Sequence, residues 1–345
     1  MTGTAPGHGD GTARLVPDLL GRCRFPAPGT RLVCGVSGGP DSLALLVLAV
    51  ASGCRVTAVH VDHALRPGSA AEAEVVADAA RRYGAAFRSV RAPVDPGPNV
   101  EARARTARRR VLGPGAATGH TMDDQAETVL INLLRGAAAD GLAAMRPGPG
   151  HPLLGIRRRE TELVCSAEGL RPVRDPSNGD LALVRNSVRH RLLPLCCAVA
   201  GRDLVPVLAR QAGLLADDAE LLEELSADLD PCDGRALAEA PLPLARRAVR
   251  RWLRDGSGYP PDLAAVDRVL AVARGEVRAT EVAGGRRVRR RQRRLALEPP
   301  SQERMLLEAP SQEQPPPGWP PAEPAGQRPL VPSPPPSAVG ELPVG

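Results

Sequence analysis

The chain has 345 residues, of which 43% are hydrophobic and only 2% aromatic, so a core has to rest on Leu, Val and Ala. This length favours two domains, and no apolar run is long enough to span a membrane. The N-terminus lacks a secretory signal pattern, so the cytoplasm is the expected location. The net charge of +6 suits an anionic partner such as nucleic acid. The chain contains no lysine, which excludes a Walker A phosphate loop and a Schiff-base lysine.

Alternating strand and helix patterns follow residues 1–30, which are expected to form a flexible or loosely helical lead-in. Short apolar runs predict four buried strands of a parallel sheet, at 31–36, 55–62, 86–92 and 116–119. Each run is followed by a helical pattern, at 41–52, 69–83, 100–111 and 122–134. This order predicts a doubly wound α/β domain over residues 31–200, whose ligands bind at the carboxyl ends of the strands.

The rest of the chain predicts a second, smaller and mostly helical domain. After a helical stretch at 184–199, a long amphipathic stretch at 204–229 is interpreted as a connecting helix within residues 201–233. Residues 234–298 form the small domain, with predicted helices at 242–254 and 264–274 and a closing basic run at 286–294. If part of that run is a strand, alternate arginines point to opposite faces. The proline-rich residues 299–345 are predicted to be a disordered tail.

The hexapeptide Ser37-Gly38-Gly39-Pro40-Asp41-Ser42 directly follows the first predicted strand and opens a helix. Its two glycines allow a tight turn and the close approach of a ligand, and the helix start offers unpaired N–H groups to an anion. Ser37 and Ser42 add hydroxyl donors. Asp41 places an acid beside the expected phosphates, which is explained if it holds Mg2+. An ordinary, well-capped strand-to-helix turn is the alternative interpretation.

This hexapeptide resembles the pyrophosphate-binding loop of the ATP pyrophosphatases, the PP-loop enzymes. The resemblance implies that ATP is cleaved between its α and β phosphates and that a carbonyl oxygen is activated as an adenylate. It also implies that residues 37–42 bind the β and γ phosphates and that Asp41 holds Mg2+. The loop indicates this chemistry and leaves the substrate open.

Further segments resemble those of the tRNA lysidine synthetases. The segment from His60 to Arg66 ends the second predicted strand and is similar to HVxHGLR, which places His60 at the nucleotide site. The segment from Glu101 to Arg109 is similar to ExxARxxRY, with Arg105 one turn from Glu101 on the same helix face. Chance surface histidines and a solvated charged helix are the alternative interpretations.

The segment at 119–128 is similar to GHxxDDQAET and opens the helix after the fourth predicted strand. His120 and Asp123 are expected to line the reaction centre. Asp124 and Glu127 are interpreted as caps and supports of the helix, whose positive dipole end favours acids. Simple N-capping is the alternative interpretation of the two aspartates.

Four later segments continue the resemblance, with similarity to GLxGM at 141–145, RPLL at 151–154, DxSN at 175–178 and RNxxRxxxLP at 185–194. Arg185 and Arg189 lie one helical turn apart, and the resemblance implies that they offset phosphate charge together with Arg105. A basic helix face is the alternative. The chain departs from the family patterns at four positions, and the effect of these departures is left open: Ala64, Arg109, Ala144 and His151.

The resemblance implies an ATP-dependent C–N ligase whose substrates are tRNA(Ile) with a CAU anticodon and free L-lysine. ATP adenylates the C2 oxygen of the wobble cytidine with release of pyrophosphate, and the lysine amine then displaces AMP. The product, lysidine, pairs with A rather than G, which changes the codon read from AUG to AUA. His120 or Asp123 is expected to orient or deprotonate the amine. The small domain and its basic run are expected to contact tRNA.

Three other functions are compatible with the loop. A PP-loop tRNA thiolation enzyme is expected to use paired cysteines, often as CxxC, and the seven cysteines of this chain include no such pair. The same spacing argues against a disulfide framework or a cysteine-rich zinc site. A small-molecule amidation enzyme and a non-enzymatic nucleotide- or RNA-binding protein are the remaining alternatives. The sequence also leaves open whether the protein is a monomer or a homodimer.

Overall fold

The computed structural model of the protein describes residues 10–64, 69–95, 97, 100–173, 179–254 and 261–300. Residues 1–9 of the lead-in, Arg66, the segment at 175–178 and residues 301–345 of the expected tail lie outside the described residues. Within the described part, no single helix is long and apolar enough to cross a membrane. One pair bent by 97°, Val184–Ala200 with Val205–Ser226, has the length and composition only when both are taken together.

A parallel sheet of four strands forms the centre of the first domain, as predicted, but the strand at Ala86–Arg91 is an exposed edge strand rather than a buried one. Its strands are β1 (Arg31–Gly35), β2 (Arg55–Asp62), β3 (Ala86–Arg91) and β4 (Ala117–Thr118), in the order β3-β2-β1-β4. Cys34 of β1 lies opposite Ala58 of β2 and Ala117 of β4. The chain runs outward from β1 to β3 and then returns to the other side of β1. The carboxyl ends of β1 and β4 therefore form the switch point where ligands bind in such sheets.

Helices surround this sheet, namely α1 (Asp10–Leu20), α2 (Pro40–Ala51), α3 (Ser69–Arg82), α4 (Val100–Leu112), α5 (Met122–Leu134), α6 (Ala139–Leu142) and α7 (Arg158–Ala167). The central helix, α2, is buried from Ser42 to Ala49 because its sequence is apolar on every side. Within residues 1–30, the described part contains the helix α1, in line with the loosely helical alternative rather than with a flexible lead-in. Its Leu19 is only 1% exposed and packs in the main core, so the described part of this segment is a structural element.

The helical stretch predicted at 184–199 contains an interruption. α8 (Val184–Ser187) passes through a π-helical turn at Val188–Leu192 into α9 (Leu193–Ala200). The predicted connecting helix is α10 (Val205–Ser226), and its buried Ala212 and Ala216 lie on the face that packs against neighbouring helices. Because α10 packs against α5 as well as the second domain, it supports the first domain in addition to connecting the two.

The second domain combines three helices with an antiparallel sheet. The helices are α11 (Gly234–Glu239), α12 (Leu242–Leu253) and α13 (Leu263–Arg274), and the strands are β5 (Ala279–Val282), β6 (Arg286–Arg291) and β7 (Arg294–Glu298). Their order is β5-β6-β7. Val288 and Leu295 are buried in one core with Val249 and Val266. The sequence does not predict this sheet, although helices still form most of the regular structure of the domain, as expected.

Candidate active site

The loop at residues 37–42 connects β1 to α2 at the carboxyl edge of the parallel sheet. Gly38 has a φ of +88°, in the left-handed region that favours glycine. A Cβ at this position would lie 3.2 Å from Cγ2 of Val173, whose amide donates to the Gly38 carbonyl oxygen at 2.9 Å. Gly39 precedes α2, and no side chain caps this helix start. The first N–H groups of α2 are therefore available to an anion.

The two serines of the loop differ in exposure and in bonding. The buried Ser42 hydroxyl accepts from the Ser37 backbone N–H at 3.1 Å and donates to the Gly39 carbonyl at 2.9 Å. Its oxygen also lies 3.2 Å from Ser37 Oγ. Ser42 thus closes the loop on itself, and Ser37, which is exposed, is the serine that can reach a ligand.

Asp41 lies in the first turn of α2, and both of its carboxylate oxygens are engaged. Thr161 Oγ1 donates to Oδ1, and Arg158 Nε donates to Oδ2 at 3.3 Å. Burial raises the pKa of Asp41 to about 6, although Arg158 and the Thr161 hydrogen bond oppose this shift. A cation that approaches Asp41 would therefore compete with Arg158 and Thr161 for the same two oxygens.

Two carboxylates of α5 and three arginines form an arginine–carboxylate cluster beside the loop, made up of Asp124, Glu127, Arg158, Arg185 and Arg189. The Glu127 side chain is fully buried and pairs with Arg158 at 3.0 Å, Arg185 at 3.0 Å and Arg189 at 2.7 Å. Asp124 accepts from Arg158 at 2.9 Å and from Arg185 at 3.0 Å. Arg185 and Arg189, which the sequence assigns to phosphate, are thus held together by carboxylates of the chain itself.

Arg158 links this cluster to the loop, because its guanidinium contacts Asp41, Asp124 and Glu127. Burial acts against ionisation, yet Arg158 and Arg185 lower the pKa of Asp124 to about 2. Burial also disfavours the Arg158 cation, but its three acidic partners hold the pKa of Arg158 above the ordinary value. The sequence does not single out Arg158. Its only signal is a run of three arginines at the start of a helix, which does not specify distant partners.

The neighbouring residues Asp123 and Asp124 have different partners. Asp123 accepts from Nε and Nη2 of Arg157, both at 3.0 Å, and from the backbone N–H of Arg158 at 2.8 Å. Asp124 forms a capping box with Thr121 at the start of α5, as expected of a cap, and also enters the cluster. Asp123, which is expected at the reaction centre, is therefore bound to the start of α7, whereas Asp124 meets the arginines.

His120 lies just beyond the carboxyl end of β4, next to the loop. The Gly119 backbone before it approaches α2 so closely that a Cβ would lie 2.7 Å from the Asp41 carbonyl oxygen. Burial lowers the pKa of His120 to about 3, and it also lowers the pKa of His151. The charge of Arg105 acts on both histidines in the same direction. Both rings are therefore neutral near pH 7.

His60, at the carboxyl end of β2, is 2% exposed. Its Nδ1 lies 3.1 Å from the Val36 carbonyl oxygen, which can only accept, so Nδ1 carries the proton. The other ring nitrogen, Nε2, is buried and has no hydrogen-bond partner within the described part of the chain. His60 thus offers an acceptor next to β1 and the loop, as a nucleotide-contacting residue would.

A parallel sheet carries a glycine-rich, acid-containing loop at its switch point, and residues 17–196 match the family model of the PP-loop domain. These features define the chain as a PP-loop protein. The chain is 42% identical to a tRNA(Ile)-lysidine synthase of Nocardia farcinica, over 73% of this chain and 85% of the relative. It is 41% identical to a tRNA(Ile)-lysidine synthase of Salinispora tropica, over 81% of this chain and 93% of the relative. The chain belongs to the tRNA(Ile)-lysidine synthase family.

A solved structure also resembles the chain, the U34-tRNA thiolase NcsA from Methanococcus maripaludis. It is 19% identical, with a TM-score of 0.46, and the match covers 59% of this chain and 78% of the thiolase chain. A likeness of this size carries no argument about function.

Proposed function

We propose that the protein is an ATP-dependent ligase that joins lysine to C2 of the wobble cytidine in tRNA(Ile) with a CAU anticodon. The observation that carries this proposal is the identity of 42% over 85% of the length of a tRNA(Ile)-lysidine synthase. The site supports the assignment, because a PP-loop with an open helix start suits the phosphates of ATP.

In the first step, the loop at 37–42 holds the β and γ phosphates while the cytidine C2 oxygen attacks the α phosphorus and pyrophosphate leaves. The N–H groups at the start of α2 and the exposed Ser37 hydroxyl donate to phosphate oxygens. His60 accepts a hydrogen bond from the nucleoside through Nε2. The positive charge of Arg105 offsets charge on the phosphates as they separate.

Asp41 is the residue that would hold Mg2+. Among the described residues, no group of three or more His, Cys, Asp or Glu side chains is arranged to hold a metal ion. Mg2+ in nucleotide sites is usually held by one or two carboxylates together with substrate phosphates, so a single acid at the loop would fit this ion once the ion replaces Arg158 or Thr161 at the Asp41 oxygens. When bound, the ion would withdraw negative charge from the phosphates.

In the second step, the amino group of free lysine attacks C2 and AMP leaves. The depressed pKa of His120 makes this ring a weak base, which favours orienting the amine over removing its proton. Arg185 and Arg189 act chiefly by neutralising Glu127 and Asp124, since both guanidinium groups already pair with these acids. Asp123 supports the site through Arg157 rather than at the reacting atoms.

Formation of pyrophosphate and AMP, with tRNA and lysine omitted in turn, tests this proposal. We expect pyrophosphate release to require tRNA(Ile), and AMP release to require both tRNA and lysine. Pyrophosphate release without tRNA would indicate small-molecule amidation instead. ATP binding without any pyrophosphate release would indicate a non-enzymatic nucleotide-binding protein, and a requirement for a sulfur donor would indicate thiolation.

A further inference from the structure

One hydroxyl group, that of Thr118 at the end of β4, lies within hydrogen-bond distance of three polar atoms. Its Oγ1 lies 2.8 Å from Nδ1 of His120 and 2.9 Å from Nδ1 of His151. It also lies 3.2 Å from the carbonyl oxygen of Gly150. The two imidazole rings meet edge to face, with centroids 5.1 Å apart and planes at 75°. Thr118 is therefore the junction between two histidines that come from different segments.

The number of protons at this junction decides how the two rings are protonated. A threonine hydroxyl has one proton to donate and two lone pairs that accept. The Gly150 carbonyl can only accept, so its contact is a hydrogen bond only if Thr118 donates its proton there. Both histidines must then donate from Nδ1 to the two lone pairs of Oγ1. In every other assignment, at least one of the three contacts lacks a proton.

The surroundings hold both histidines in place and in the neutral form. The backbone N–H of Thr118 donates to the Gly150 carbonyl at 3.0 Å, and the N–H of His151 donates to the Gly148 carbonyl at 2.9 Å. Burial and the charge of Arg105 disfavour a second proton on either ring, and Arg109 adds to this at His151. Among the described residues, neither Nε2 has a hydrogen-bond partner.

We propose that Thr118 is a positioning residue that fixes His120 and His151 as the Nδ1–H tautomers, so that each ring presents an unprotonated Nε2 to an N–H group of a substrate. His151 thereby becomes a second acceptor beside His120. A neutral imidazole in this tautomer cannot donate from Nε2, so the pair selects amino groups over phosphate oxygens. The assignment of the tautomers stands on the contacts of Thr118, whereas their use in the reaction rests on the proposed function.

Histidine ring NMR on the full chain tests the tautomers directly. The ring nitrogen and Cδ2 shifts distinguish Nδ1–H from Nε2–H, and the variants His120→Gln and His151→Gln assign the two signals. We expect both rings to be Nδ1–H at neutral pH in the wild type and in Thr118→Ser. In Thr118→Val, which keeps the shape and removes the hydroxyl, at least one ring should shift towards Nε2–H. An Nε2–H signal from either ring in the wild type would overturn the proposal, even if the valine variant does not fold.

The rate of lysidine formation tests whether the tautomers are used. We expect kcat to fall about fivefold in Thr118→Val, the size of one lost hydrogen bond, with KM for ATP unchanged. Thr118→Ser should restore the wild-type rate. A tautomer change without a change in kcat would contradict the use of the pair in the reaction. If the wild type formed no lysidine at all, the proposed function would fail, and the NMR result would still decide the tautomers.

Discussion

Two sets of three arginines in this chain lie in opposite electrostatic environments. In the arginine–carboxylate cluster, Arg158, Arg185 and Arg189 each pair with Glu127, whose side chain is fully buried. At the β6–β7 hairpin, Arg289, Arg291 and Arg293 have no ion pair with any of the described residues. The first set is neutralised by the protein itself, whereas the second has no neutralising acid among the described residues.

The strand pairing explains why Arg289 and Arg291 have no acidic partner, whereas Arg293 lies in the turn between β6 and β7. Val288 points into the core, so Arg289 and Arg291 lie on the opposite face of β6, as expected for alternate residues of a strand. Arg289 pairs across the sheet with Ala279 and Ala296, neither of which is acidic. Unpaired arginines on one sheet face suit a phosphate backbone, whereas arginines held by buried acids build a rigid internal frame.

Asp41→Asn, next to the arginine–carboxylate cluster, should have the largest effect of all the substitutions, a loss of pyrophosphate release. The change removes the charge that Arg158 contacts and the acid proposed to hold Mg2+, so pyrophosphate release should fall by about a thousandfold or more. tRNA affinity should be unchanged. Asp78→Asn is the control, because Asp78 is an exposed acid whose ion-pair partner among the described residues is the exposed Arg81. Near-normal pyrophosphate release by the Asp41 variant would contradict the proposed role of Asp41 in Mg2+ binding.

Glu127→Gln should destabilise the fold, because three arginines would then lose their shared buried anion. We expect the free energy of unfolding to fall by about 3–5 kcal/mol, measured by urea denaturation. Glu220→Gln is the matched control, since Glu220 pairs with Arg146 at the surface and its loss should cost less than about 1 kcal/mol. Equal losses in the two variants would mean that the cluster is no more structural than a surface ion pair.

Arg289→Gln, Arg291→Gln and Arg293→Gln, combined in one variant, test the hairpin side. Each phosphate contact releases counterions, so the slope of log affinity against log salt for tRNA should flatten by up to about three units. ATP binding should not change. A control variant replaces three arginines that already have acidic partners, Arg81, Arg82 and Arg235, and should change the slope by less than about one unit. Identical slopes for the wild type and the hairpin variant would mean that these arginines contact no phosphate and that tRNA binds at another part of the chain.

Thr161→Val should shift the pH dependence of kcat/KM for ATP, although the substitution removes no charged group. The pKa of Asp41 is raised to about 6, so kcat/KM for ATP should rise as pH increases through about 6 and then level off, if ionised Asp41 is required. Thr161 donates to the ionised carboxylate and lowers its pKa. Without that hydroxyl the acid limb should move to higher pH, by up to about one unit. Thr161→Ser should leave it in place, and an unmoved limb in the valine variant would mean that another group titrates.

Deletion of residues 301–345 should have the smallest effect. These residues are rich in proline and lack the apolar periodicity needed to form a hydrophobic core. The free energy of unfolding should therefore change by less than about 0.5 kcal/mol, and lysidine formation should persist. Leu19→Ala, near the other end of the chain, should cost about 2–5 kcal/mol because that side chain is fully packed. A large drop in melting temperature on truncation would show that the deleted segment is structural.

The four strands of the first domain and the helices that follow them were predictable because each carries its own local pattern, whereas α6 and α7 were not predicted. The helix at Met122–Leu134 and the strand at Arg55–Asp62 match their predictions residue for residue. The antiparallel sheet of the second domain was not predictable from the sequence. In β6 only Val288 is buried, and arginine side chains occupy the other positions. Apolar alternation, which indicates a strand, is therefore absent from that sequence.

The sequence singles out several residues that meet beside the loop, among them Asp41, Asp124 and Arg185, but it indicates neither Arg158 nor the partners of any of them. The pattern of residues 119–128 places acids at a helix start, yet it does not distinguish Asp123, bound to Arg157, from Asp124, bound to Arg158 and Arg185. Arg158 lies 117 positions from Asp41, a separation at which no local pattern carries information. Ion pairs between distant segments are set by the fold, so they become visible only once the sheet brings the segments together.

The contact between Gly119 and the Asp41 carbonyl fixes a spacing that no side chain controls. A single added carbon at position 119 would come within 2.7 Å of that oxygen, so the two backbones can approach this closely only because residue 119 is glycine. Any side chain at position 119 would therefore push the phosphate-binding loop and the end of β4 apart, so this glycine sets how near His120 can lie to the loop.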